Sequence, residues 1–315
     1  MQEWSGRTDP STTGDARRWH QIVQPYGAGS APGIALLGFA CDEGILRNRG
    51  RLGAAQGPST LRPALASLPV LDSRPLYDAG DISCLDGNLE HAQFHFAERI
   101  CELLAAGHLP IGLGGGHEIA FATYQGLFRS LQKRRPRIAV VNLDAHFDLR
   151  EQEPGNSGTP FLQILKHAAE NAVHVDYLCL GVSASANTRQ LFATANANDV
   201  YYLHDDELDL LRLDKHLQAL RQRLAHVDLI YLSLCLDVLP SSIAPGVSAP
   251  SARGVPLEVL EPLIDAILRT GKVAVADVAE LSPPYDIGGA STRVAARLVH
   301  RIARGMERTP WLAPT

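Results

Sequence analysis

The chain has 315 residues, enough to bury a large core, and a formal net charge of −5 that gives no basis for a nucleic-acid or anionic-membrane partner. Its five cysteines (Cys41, Cys84, Cys101, Cys179, Cys235) are odd in number and contain no CxxC pair. With no secretory apolar stretch near residue 1 and no run long enough to span a bilayer, a cytoplasmic protein without a disulfide framework is expected.

In chain order, residues 1–30 are rich in Gly, Ser, Thr and Pro, lack an apolar period and predict a flexible arm. No shift in composition divides the remainder, so 31–315 is read as one domain. Six apolar runs predict buried strands, at 33–41, 109–115, 137–144, 176–183, 228–237 and 272–281. They are nearly continuous in Val, Ile, Leu and Ala, as strands covered on both faces require. Amphipathic stretches such as "AQFHFAERICELLAAG", "KHLQALRQRLAHV" and "STRVAARLVHRIARGM" separate them and predict helices. Strand and helix in alternation give the α/β class, with a parallel sheet flanked by helices on both faces.

Ligands of such sheets bind beyond the carboxyl ends of the strands, and the ionisable residues follow that rule. Gly114–Gly116 and His117 end one run, Asp144, His146 and Asp148 the next, Ser233, Cys235 and Asp237 a third, and Asp277 and Glu280 a fourth. In extended chain, Asp144, His146 and Asp148 face one way about 6–7 Å apart, close enough to share one or two metal ions. Adjacent carboxylates without a cation repel until one is protonated. The competing readings are a helix cap for the aspartates, a glycine turn with an incidental imidazole for His117, and a small buried hydrophobe for Cys235. Asp237, within an apolar strand, needs a partner that a metal supplies. Glu280 before a proline turn and Arg150 also read as ordinary surface charges.

Together, "NRGRLGAAQGPSTLR" (48–62), "DAGD" (78–81), "GGGHE" (114–118), "DAHFD" (144–148), "NSGTPF" (156–161), "SLCLDVLPSSIAPGVSAPSARG" (233–254) and "VAELSP" (278–283) resemble the arginase or ureohydrolase family, most of all its formimidoylglutamase branch. The resemblance implies a parallel sheet of eight strands and two Mn²⁺ ions. By position, one ion is held by His117, Asp144, Asp148 and Cys235, the other by Asp144, His146, Cys235 and Asp237. Cys235 stands where the family commonly has aspartate, and a thiolate is a softer ligand than a carboxylate. Ser157 stands where the guanidine hydrolases carry histidine, which argues against arginase or agmatinase.

The expected reaction is hydrolysis of N-formimidoyl-L-glutamate to L-glutamate and formamide, a step of histidine breakdown, by metal-activated water. Glu280 is expected to hold the amidinium and Asp148 to pass a proton to the departing amine. Arg150, Asn156 and Ser157 are expected to bind substrate. The alternatives left open are a guanidino-compound hydrolase and a non-catalytic relative whose metal centre Cys235 has weakened. The only partner expected is a small-molecule substrate, and self-association into a homo-oligomer is left open.

Overall fold

A computed structural model describes residues 4–10, 15–132 and 134–312. Its sheet has nine strands: β1 (Val23–Pro25), β2 (Ile34–Ala40), β3 (Leu76–Ser83), β4 (Leu109–Leu113), β5 (Ile138–Leu143), β6 (Val175–Val182), β7 (Tyr201–His204), β8 (Leu229–Cys235) and β9 (Val273–Ala279). They run in the order β1-β3-β2-β4-β9-β8-β5-β6-β7, and every pairing is parallel. Among the described residues the α-helices are α1 (Glu43–Arg47), α2 (Gly57–Ala66), α3 (Leu89–Ala105), α4 (Ile119–Ser130), α5 (Pro160–Glu170), α6 (Arg189–Ala197), α7 (Leu213–Ala225), α8 (Leu257–Leu268) and α9 (Ala290–Gly305).

Two apolar layers sandwich the sheet. Leu61 and Leu65 of α2 and the buried sides of α7, α8 and α9 meet Val141 and Leu143 of β5 and Ile230, Leu232 and Leu234 of β8. The alternate residues Ile138, Val140, Leu229 and Tyr231 point the other way, against α3, α4, α5 and α6. Because both faces are covered, a two-residue alternation produces no polar gaps, and the central strands read as unbroken apolar runs.

All six strands expected from apolar runs are present, but the sheet has nine strands where eight were expected. The extra edge strand, β1, lies within the expected arm and pairs Val23 with Leu76, while Trp19 just before it is buried. A three-residue strand leaves almost no periodicity to read. β3 was missed because Asp78 and Asp81 interrupt it, and β7 because it is a short, half-buried edge.

Those aspartates answer Arg62 of α2, one of the largest fully buried side chains. Arg62 Nε donates to Asp78 Oδ2 at 2.9 Å and Nη2 to Asp78 Oδ1 at 3.0 Å, and Nη2 lies 2.7 Å from Asp81 Oδ1. The guanidinium fork thus pins α2 to the strand beside β2. Removing one member of such a pair leaves a buried charge without its partner. Arg62→Met is therefore expected to cost about 3–5 kcal/mol in urea unfolding, and a loss below about 1 kcal/mol, the scale of exposed pairs, would show that the pair is solvent-screened.

Candidate metal centre

Four adjacent strands at the middle of the sheet, β4-β9-β8-β5, bring the ionisable residues together. The chain passes from β4 to β5 and only later fills the gap with β8 and β9, so this is where the strand order reverses. After β4 the glycine turn lies against β2. A Cβ on Gly115 would stand 1.7 Å from the Cys41 carbonyl oxygen, so only glycine allows that approach. The turn delivers His117 to the rim, with Nδ1 3.0 Å from both Asp144 Oδ2 and Asp148 Oδ2. His146 Nδ1 lies 3.1 Å from Asp237 Oδ2 and 3.5 Å from Asp144 Oδ1.

Asp144 is thus shared. Its two oxygens face two imidazoles. One group of ligand atoms, from His117, Asp144 and Cys235, lies within 4.8 Å, and so does a second, from Asp144, His146 and Asp237. The means of assembly differs from extended-chain alternation. β5 stops at Leu143 and the DAHFD segment bends, ending in a left-handed backbone at Asp148 (φ 48°) that curls its carboxylate back toward His117. Likewise Cys235 is the last residue of β8, and Asp237 sits in the single 3-10 turn Leu236–Val238 instead of in a strand.

Hydrogen bonding fixes the proton on His117. Asp277, fully buried, accepts from Thr123 Oγ1 (2.6 Å), Tyr231 OH (2.6 Å) and Ser233 Oγ (2.7 Å). Ser233 has one proton and gives it to Asp277, so its oxygen accepts from His117 Nε2 at 3.0 Å. With Nε2 protonated, Nδ1 is the atom left for a cation. Asp277 therefore serves from beneath His117 and lies outside the ligand set. Two asparagines that the sequence did not single out hold the neighbouring loop. Asn142 Nδ2 donates to Asp144 Oδ2 (2.9 Å). Asn187 accepts from the Phe147 N–H (3.1 Å) and donates to the carbonyls of Ala145 and Ser183 (2.9 Å each).

The charges favour a cation. Burial, reinforced by Asp144, pushes the Asp237 carboxyl up to about 6 and raises Asp148 as well. Burial pushes Glu280 up to about 7 and drives the Cys235 thiol well above its usual range, with Asp144 and Asp237 adding to the thiol's shift. Burial also opposes charge on Asp144, but hydrogen bonds from His117 and His146 overcome it and hold that carboxyl low. Protons on the imidazoles and cations between them are alternative ways of offsetting the same carboxylate charge, so metal binding should release protons. Asp237 Oδ1 and Glu280 Oε2 are buried with no hydrogen-bond partner, as oxygens aimed at a cation or cationic ligand would be. The donor set of imidazole, carboxylate and one thiol fits two divalent ions of the manganese, iron, cobalt or zinc type.

On the substrate side, Glu280 adopts a left-handed backbone (φ 73°) and spends Oε1 on the His117 N–H at 2.8 Å, leaving Oε2 free. Ser157 is nearly buried and accepts from Asn48 Nδ2. Asn156 is turned inward. Its Oδ1 accepts the Gly158 N–H at 2.9 Å and holds the loop, while its Nδ2 is buried without a hydrogen-bond partner. Arg150, two residues beyond Asp148, is exposed and tied to the same loop by its N–H to the Gly158 carbonyl (2.9 Å).

Loss of a group that orients a metal-binding histidine typically weakens metal binding about 10–100-fold. Ser233→Ala is expected to lower Mn²⁺ affinity on that scale in a metal titration, with circular dichroism unchanged. Unaltered affinity would mean that Ser233 does not orient His117.

With this geometry in place, comparison with known proteins is informative. The model of the arginase family matches residues 32–304. The formimidoylglutamase of Ralstonia nicotianae is 51% identical over 308 residues, covering 96% of this chain and 95% of the relative. That of Aeromonas hydrophila is 48% identical over 307 residues, covering 96% and 98%. The crystal structure of Trypanosoma cruzi formiminoglutamase with Mn2+2 superposes with a TM-score of 0.79 at 26% identity, covering 92% of this chain and 98% of that one. The Bacillus subtilis formimidoylglutamase structure gives 0.81 over 96% of both chains; at 24% identity it speaks for the fold. A parallel sheet with both faces covered, a ligand cluster on its carboxyl rim and a family match over nearly the whole length make one conclusion: this chain belongs to the arginase family.

Proposed function

We propose that the chain hydrolyses N-formimidoyl-L-glutamate to L-glutamate and formamide, using two Mn²⁺ ions at the rim centre. The observation that carries this reading is the 46–51% identity to formimidoylglutamases over nearly the full chain, joined to ligand groups that share Asp144. A guanidino-compound hydrolase fits less well, because Ser157 supplies no imidazole beside the leaving group.

His117, Asp144, Asp148 and Cys235 would hold one ion, and Asp144, His146 and Asp237 the other, with Cys235 as the second shared ligand. Bound there, the pair of cations supplies a water acidic enough to lose its proton near neutral pH. The protein's own groups do the rest. Glu280 accepts the amidinium N–H through its free Oε2, a charge-assisted contact that sets the formimidoyl carbon over the centre. Asp148, beside His117, takes the proton of the attacking water and delivers it to the departing amine nitrogen. Arg150 offers its planar fork to a carboxylate of the glutamate moiety.

Three outcomes test this reading. Mn²⁺-loaded protein should turn over N-formimidoyl-L-glutamate and leave agmatine and arginine nearly untouched; faster turnover of either guanidine would overturn the substrate assignment. Glu280→Gln should keep both ions by elemental analysis while kcat/KM falls roughly 10²-fold or more, the scale of losing one partner of a buried charge pair. Metal loss in that variant would instead make Glu280 a ligand. Cys235→Asp should raise Mn²⁺ affinity, because a harder oxygen replaces sulfur. If occupancy and rate both stay the same, residue 235 is not a ligand.

A further inference from the structure

Asn48, in the segment beginning "NRGR", meets the loop that the Phe161 N–H ties to the Asp148 carbonyl (3.3 Å). Its Nδ2 donates to Ser157 Oγ at 3.1 Å. Gly158 lies between Asn48 and Arg150. A Cβ there would stand 2.8 Å from Arg150 Cδ, 3.0 Å from Arg150 Nε and 3.2 Å from Asn48 Nδ2. The arginine stem and the asparagine amide therefore rest on one bare α-carbon, only a few ångströms apart. The loop is anchored from below by the Ser157 N–H to the Gly44 carbonyl (3.1 Å) and by the Gly44 N–H to Glu118 Oε1 (2.9 Å), in the residue after His117.

By accepting from Asn48, the Ser157 oxygen uses a lone pair, and its own proton finds no acceptor among the described residues. One Asn48 N–H is engaged with Ser157, and the other is unengaged among those residues. The Arg150 guanidinium forms no ion pair with a described carboxylate. The Ser157 hydroxyl, one Asn48 N–H and the Arg150 Nε thus lie close together beside Gly158 as donors without an acceptor among the described residues.

We propose that Asn48 is a substrate-positioning residue: with Ser157 and Arg150, over the bare α-carbon of Gly158, it forms a donor cradle for one carboxylate of the glutamate moiety. The inference rests on the substrate class proposed above and names the residue that sets it. Arg150 supplies the charge. Asn48 sets which way the Ser157 hydroxyl points and adds a donor of its own, so the cradle selects a planar carboxylate over the terminal ammonium of agmatine.

The test uses Mn²⁺-loaded full-length protein and Asn48→Asp, which keeps the shape but replaces the donating amide by an acidic acceptor. Carboxylate binding contributes nearly equally in ground and transition states, so KM for N-formimidoyl-L-glutamate should rise about 10–100-fold with kcat little changed. The inhibition constant for L-glutamate should rise by the same factor. Inhibition by acetamidine, an amidine with no carboxylate, should not move. Wild-type values for KM and for L-glutamate inhibition would overturn the proposal, and so would an equal loss for acetamidine, which marks a merely structural role. Gly158→Ala, which puts a methyl group into the cradle, should reproduce the same pattern and decides the matter if Asn48→Asp does not fold. If wild-type protein fails to turn over the substrate, the substrate assignment falls. L-Glutamate binding measured by calorimetry then still decides the cradle: binding weakened by Asn48→Asp supports it, and unchanged binding sinks it.

Discussion

Everything at the rim depends on one carboxylate, Asp144, having two oxygens and two imidazoles to face. A fully buried carboxylate is costly unless its charge is met, and here the charge is met twice, by His117 on one side and His146 on the other. That sharing draws Asp148 and Cys235 toward one imidazole and Asp237 toward the other. The cluster is over-supplied with acids. Asp148, Asp237 and Glu280 all have pKa values raised by burial, and two of their oxygens have no partner. A pair of cations would relieve this crowding, so the same electrostatics that would destabilise an apolar core suits a cation site.

The sheet explains how residues so far apart in sequence can crowd in this way. Placing β9 and β8 between β4 and β5 sets His117 and Glu280, 163 positions apart, within hydrogen-bonding distance. The strands end at nearly one level, and each exit is shaped differently: a glycine turn after β4, a bend with a left-handed residue after β5, a 3-10 turn after β8, a left-handed glutamate after β9. Left-handed backbone at Asp148 and Glu280 costs on the order of 1–3 kcal/mol per residue, and packing on both sides sustains it. The gain is placement: each carboxylate turns back over the rim instead of following its chain away.

A layer of neutral hydrogen-bonding groups keeps the ligands in register. Thr123, Tyr231 and Ser233 satisfy Asp277, which passes its influence to His117 through one hydroxyl. Asn187 closes three backbone bonds around the bend that carries His146. These groups come from strands, a helix and a loop, so the protein's own hydrogen bonds hold the candidate ligands in place. The 156–158 loop is built on the same plan, with the Asn156 oxygen holding it and Ser157, Asn48 and Arg150 left as donors.

The sequence by itself determined the class of the fold, the carboxyl rim as the site and the chemical kind of the site. Near-continuous apolar strands can only be covered on both faces, and ionisable side chains that end such strands have to be neutralised. The candidate ligands His117, Asp144, His146, Asp148 and Asp237 stand out in the sequence for that reason, because a charge beside an apolar run is conspicuous. Strands β1, β3 and β7 were not legible: a short edge and a strand carrying ion-paired aspartates leave no periodic trace. Nor were Asn142, Asn187 and Asn48, since a neutral amide looks the same whether it faces water or clamps a ligand loop. Only the tertiary structure decided those roles. It also joined Asp277 to His117 through Ser233, because hydrogen-bond direction depends on which groups from distant segments arrive at the same place.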